Sequence, residues 1–166
     1  MELNEYLDAI RSGVTANIPD EIRNVTAHSE MEMANAPRAR FQRHRILCVD
    51  DEIIGSTMRA EILREHGYSV DLYHAPLAAL RCDLSLFELA ILDFEMPALN
   101  GRELLLRMRA SGARFPIVLL TGSLEALAKE DRILFARCVD KGMPISRLLD
   151  AVAEFLGPNQ LPDYGS

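Results

Sequence analysis

The chain has 166 residues, of which 49% are hydrophobic, 26% charged and 6% aromatic. That length and mixture suit one domain with an appendage and exclude wholesale disorder. Eighteen Lys and Arg against 25 Asp and Glu leave a net charge of −7, which disfavours non-specific attachment to nucleic acid or to an anionic membrane, and no window holds the roughly 18 uninterrupted apolar residues of a membrane helix.

Residues 1–44 are polar and contain no strand-like run. Leu3, Leu7 and Ile10 share one helical face, Gly13 and Pro19 interrupt, and Asp20 suits the cap of a second helix carrying Ile22 and Val25. Residues 1–36 are therefore expected to be a helical extension, and 37–44, with Arg38, Arg40 and Arg43, a basic linker. The Leu3/Leu7/Ile10 face is either a surface for self-association (a homodimer) or partner docking, or an extension with no role.

From residue 45 the pattern changes. Arg45-Ile-Leu-Cys-Val-Asp50 is a short apolar run ending in acid, as a buried strand would be. Ile54, Met58, Ile62 and Leu63 mark the inward face of a helix closed by Gly67. Residues 68–73 read as a second strand, 76–84 as a short helix and Leu89-Ala-Ile-Leu-Asp93 as a third strand. Gly101 opens a helix with Leu104, Leu105 and Met108 inward, stopped at Gly112. Residues 115–120 form a fourth strand, 123–135 a helix and 137–140 a weak fifth strand. Ile145, Leu148, Leu149, Val152 and Phe155 mark a last helix, ended by Gly157-Pro158. Residues 45–157 are thus one domain and 158–166 a polar tail, with no output domain expected downstream. Strands alternating with helices predict parallel βαβ units in a doubly wound sheet, whose function gathers at the carboxyl ends of the strands.

Those ends carry a distinctive set of side chains. The first strand ends in Asp50-Asp51, the third in Asp93, the fourth in Thr121-Gly122 and the fifth in Lys141. Converging carboxylates repel one another unless a cation joins them. Hard oxygen donors with open positions suit Mg²⁺. An aspartate can attack phosphorus to give an aspartyl phosphate, and a lysine and a hydroxyl can serve the equatorial oxygens of a phosphoryl group. The three cysteines, Cys48, Cys82 and Cys138, are far apart and read as reduced thiols in a cytoplasmic protein.

Taken together and in order, Ile46-Leu-Cys-Val-Asp-Asp-Glu52, Leu92-Asp-Phe-Glu-Met-Pro97 with Gly101, Leu119-Leu-Thr-Gly122 and Lys141 resemble the response-regulator receiver domain of two-component signalling, the chemotaxis-regulator type. The resemblance implies a flavodoxin-like, five-stranded parallel sheet of order 2-1-3-4-5. By position it makes Asp93 the phosphoacceptor, Asp51 a direct Mg²⁺ ligand and Asp50 its partner. Glu95 would lend the metal its backbone carbonyl, and Thr121 and Lys141 would be the switch hydroxyl and the phosphate-facing lysine. It also implies a histidine kinase or histidine phosphotransfer protein as donor, and output through contact with a downstream protein. The chain would not be an enzyme beyond self-catalysed phosphoryl transfer and autodephosphorylation.

Three departures stand out. Lys141 is followed by Gly142-Met143 before Pro144, where the family has proline at once. Cys138 replaces the aromatic residue expected three positions before the lysine. The stretch between Thr121 and Lys141 is short, so the helix within it is expected to be trimmed or irregular. All three fall on the side that reads out the signal. They leave a rival reading, a pseudo-receiver with the same fold that phosphate does not switch.

Overall fold

The computed structural model describes residues 44–157; the expected N-terminal helices, most of the basic linker and the polar tail lie outside them. The strands are β1 (Arg45–Val49), β2 (Ser69–Tyr73), β3 (Leu89–Asp93), β4 (Ile117–Thr121) and β5 (Arg137–Asp140). The helices are α1 (Ile53–Glu65), α2 (Pro76–Ala79), α3 (Gly101–Ala110), α4 (Lys129–Arg132) and α5 (Ser146–Leu156), with a 3₁₀ turn at Leu84–Leu86. The strands form a single five-stranded sheet in the order β2-β1-β3-β4-β5, and every neighbouring pair is parallel. This is the flavodoxin-like architecture expected from the alternation of strands and helices.

Because successive strand residues face opposite sides, the sheet builds two cores. Ile46, Cys48, Leu89, Ile91, Val118 and Leu120 pack with residues of α1 and α5, including Leu63, Leu148 and Val152. Leu47, Val49, Ala90, Leu92, Ile117 and Leu119 pack on the other side with Ala79, Leu104, Leu105 and Met108. Both faces are covered, which is why the central strands read as continuous apolar runs rather than alternating ones. Asn100 and Glu103 close a reciprocal capping box at the start of α3. The chain leaves α3 through Gly112, whose φ of +96° suits glycine.

Several expected elements change. In α1 the buried side chains are Ser56, Ala60 and Leu63, whereas Ile54 and Met58 are exposed. Leu63 is inward as expected and Ile62 is half-buried, but small residues let this helix approach the sheet, so apolar spacing alone turns the expected face too far toward Ile54 and Met58. The helix expected over 76–84 shortens to α2 followed by the 3₁₀ turn. The helix expected over 123–135 is reduced to the four residues of α4. The reason is local: the Arg132 guanidinium donates to the carbonyls of Leu124, Glu125 and Leu127, satisfying as a turn the acceptors that a longer helix would have bonded internally. Arg102 of α3 pairs with Asp131 at 3.4 Å and anchors this short helix from the side.

Candidate functional site

Parallel strands bring their carboxyl ends to one edge. Asp50 follows β1, Asp93 closes β3 and Thr121 closes β4; all three are buried. Asp51 is half-buried beside them. One carboxylate oxygen from each of Asp50, Asp51 and Asp93 lies within 4.8 Å of the others. The packed sheet therefore holds three carboxylates together that would separate in water.

Two cations answer them. Lys141 Nζ lies 3.0 Å from Asp50 Oδ2 and 3.0 Å from Asp93 Oδ2. Arg59, in the middle of α1, places Nη2 2.6 Å from the same Asp50 oxygen. Burial pushes the Asp93 carboxyl above the ordinary range, and the ammonium of Lys141 opposes it. Asp50 Oδ1 accepts from the Glu52 backbone N–H at 3.0 Å, and the ring of His74 contacts the Asp50 carbonyl at 3.0 Å. Glu52 itself caps α1, accepting from the N–H groups of Ile54 and Gly55. Asp93 also accepts from the Glu95 backbone N–H, while the Glu95 side chain is exposed.

The loop after β3 is bound closely to the site. Gly101 N–H donates to the Phe94 carbonyl at 2.9 Å, and a Cβ at residue 101 would lie 2.5 Å from the Asp93 carbonyl oxygen. Only glycine lets α3 begin this near the acid. Thr121 Oγ1 accepts from Ser123 N–H at 3.3 Å, a turn contact that ties the buried side chain to the loop after β4.

The absence of a proline directly after Lys141 does not carry the lysine away. No cis peptide bond occurs among the described residues. The turn is held by Lys141 N–H donating to the Thr121 carbonyl at 2.8 Å and Met143 N–H to the Asp140 carbonyl at 3.1 Å. The Asp140 carboxylate adds two more bonds. Oδ1 accepts from Gly142 N–H at 2.7 Å and Oδ2 from Leu124 N–H at 3.2 Å, stapling the lysine turn to the loop after Thr121.

All six residues expected from the sequence thus lie at one edge. Arg59, Asp140 and Arg132 were not anticipated there. Arg59 and Arg132 act by reaching across a helix or a turn, and neither stands at a strand end where spacing would single it out. Asp140 does stand at a strand end, but next to Lys141 it reads as an ordinary turn residue.

Comparison with known proteins agrees with this geometry. Residues 46–153 match the family described as "Response regulator receiver domain". The transcriptional regulatory protein RprY of Bacteroides fragilis is 38% identical over 77 residues, covering 46% of this chain and 32% of that protein. The sensor histidine kinase GacS of Pseudomonas protegens is 32% identical over 155 residues, covering 84% of this chain and 16% of the kinase. The chain therefore spans less than half the length of these curated relatives. Among solved structures, the response regulator protein TrrA of Thermotoga maritima, in complex with Mg²⁺ and BeF, is 31% identical with a TM-score of 0.60, covering 68% of this chain and 99% of that one. A receiver domain from Methylobacillus flagellatus has a TM-score of 0.63 at 22% identity, covering 68% of this chain and 98% of that one, and shares the fold. With a matched stretch that takes in β1 through most of α5 and every acid of the site, the chain belongs to the response regulator receiver domain family.

Proposed function

We propose that the protein is a phosphorylatable receiver of a two-component or phosphorelay pathway, and that Asp93 accepts the phosphoryl group. The observation that supports this most is the single buried edge on which Asp93, two further carboxylates, Thr121 and Lys141 meet. Receiver domains are signalling proteins that bind Mg²⁺ at an acidic pocket and work with histidine kinases. The donor set here fits that ion: three hard oxygens held within 4.8 Å, on a buried edge whose like charges need a counter-ion.

Asp50, Asp51 and Asp93 would hold the Mg²⁺, with the Glu95 carbonyl as a further oxygen. The bound ion neutralises phosphoryl oxygens. The rest is the work of the chain. A carboxylate oxygen of Asp93 attacks phosphorus; the O–P bond forms as the bond from phosphorus to the donor's phosphohistidine nitrogen breaks, and the electron pair returns to the imidazole. Lys141, already 3.0 Å from Asp93, sits where it can pair with a phosphoryl oxygen, and Thr121 can donate its hydroxyl to another. Burial of Asp93 excludes bulk water from the acyl phosphate. A histidine kinase or histidine phosphotransfer protein is the donor, and output passes through a protein contact.

Beryllofluoride, a mimic of the phosphoryl group, tests this reading. In the presence of Mg²⁺ it should shift backbone amides at 93–95, 121–124 and 140–142, and chelation should reverse the shifts. Absence of any response in these three segments would favour the pseudo-receiver.

A further inference from the structure

The acids of the site have a cation that neither the strand-end pattern nor the proposed chemistry uses. Arg59 comes from the middle of α1, not from a strand end, and its guanidinium reaches Asp50 Oδ2 at 2.6 Å. Its side chain is 20% exposed and that of Asp50 4%, so the pair is largely withdrawn from water, where charge contacts are strong and geometry is fixed. The position is built for it. Gly55, one turn earlier, has no side chain; a Cβ there would lie 3.1 Å from Arg59 Nη1 and 2.3 Å from Glu52 Oε2. Arg59 borders a small space under α1 with Leu63, Leu120 and Leu148. It also lines a cavity of about 240 Å³ between α1 and the start of α5, lined in addition by Asp140 and Lys141.

We propose that Arg59 is the resident counter-cation of the acid triad and that it holds the affinity for a divalent cation below what the three carboxylates would otherwise give. The inference rests on the metal site proposed above. Arg59 and Lys141 both engage the same oxygen of Asp50, leaving that carboxylate less able to serve an incoming ion. Three carboxylates against two cations leave one net negative charge at the site. A divalent ion entering while Arg59 stays raises the charge to one positive; if Arg59 withdraws, the charge becomes zero. The adjoining cavity, which Arg59 and Asp140 both line, gives the side chain somewhere to withdraw to. Metal entry is thereby coupled to movement of a side chain on α1.

The test is Mn²⁺ binding to the whole chain, followed by the loss of the free-ion electron paramagnetic resonance signal, with Mg²⁺ as competitor. Arg59→Met keeps the apolar stem and removes the charge; it should bind Mn²⁺ about tenfold more tightly than wild type, the order of effect of one nearby like charge. Arg59→Lys should stay close to wild type, and Asp51→Asn should lose binding. A second readout covers any change in folding: added Mg²⁺ should raise the Tm of Arg59→Met more than that of wild type, since stabilisation by a ligand grows with its affinity. Unchanged or weaker binding by Arg59→Met, with wild type still binding and Asp51→Asn not, overturns the role of Arg59 and leaves the metal site standing. No binding by wild type or Arg59→Met overturns both.

Discussion

Asp93 is in conflict with its own burial. The side chain is held out of water at the end of an apolar strand, which pushes its carboxyl upward, and Lys141 only partly compensates. A carboxyl that holds its proton more tightly folded than unfolded makes the fold less stable as pH rises from the unfolded value of about 4 through the folded one. Asp93→Asn should therefore make the metal-free protein more stable near neutral pH, because the amide carries no charge to bury. In urea unfolding the gain should shrink toward zero at about pH 4; an equal gain at both pH values contradicts this account. The thiols are a different case: Cys48 is buried, and Cys82 and Cys138 are partly buried. Burial pushes Cys48 up to about 12, and Cys82 and Cys138 are also raised by burial. A thiolate-selective alkylating reagent should leave Cys48 unmodified in the native protein at mildly alkaline pH, and label it on unfolding. Rapid native labelling of Cys48 would show that the face of the sheet under α1 opens far more readily than its packing implies.

At the scale of elements, the two loops that carry Thr121 and Lys141 act as one piece because Asp140 bonds to both. Asp140→Ala removes two acceptors from backbone N–H groups and should cost about 1–3 kcal/mol. It should also accelerate amide exchange at Leu124 and Gly142 while leaving β1 and β3 protected. Uniform loss of protection across the sheet would mean that Asp140 supports the fold rather than the loops. The β3–α3 loop has a separate strain: Ala98 adopts φ of +69°, a region costing a non-glycine residue about 1–2 kcal/mol. Ala98→Gly should hold or raise the Tm despite the looser unfolded chain, and a clear fall would show that the alanine methyl makes a needed contact. The strands were legible because four or five apolar residues closed by a polar one have few other homes than a buried parallel sheet. The site was legible because topology sends every such closing residue to one edge. The α1 face was legible only in part: Leu63 is inward as expected, but Ser56 and Ala60 are buried for their size while Ile54 and Met58 are left outside. In the 123–135 segment the trimming was legible from its short length but not its cause, since Leu124, Leu127 and Leu134 keep helical spacing and one arginine, Arg132, captures the carbonyls.

For the whole molecule, residues 44–157 carry all five strands of the described sheet and the two cores packed on its faces. A polypeptide beginning at Arg43 should therefore fold alone, with a cooperative unfolding transition by circular dichroism. A non-cooperative or insoluble product would mean that the preceding segment completes the core. Among the described residues no helix is long and apolar enough to cross a membrane. The curated relatives are longer proteins, named as a transcriptional regulatory protein and a sensor histidine kinase, and what is proposed for this chain is phosphoryl chemistry at Asp93. That chemistry is the central claim, and intact-mass measurement after incubation with acetyl phosphate and Mg²⁺ tests it most directly. The account predicts one base-labile phosphate adduct per chain, lost in Asp93→Asn and on chelation of the metal. No adduct under conditions that label an ordinary receiver, or an adduct that survives in Asp93→Asn, would contradict it.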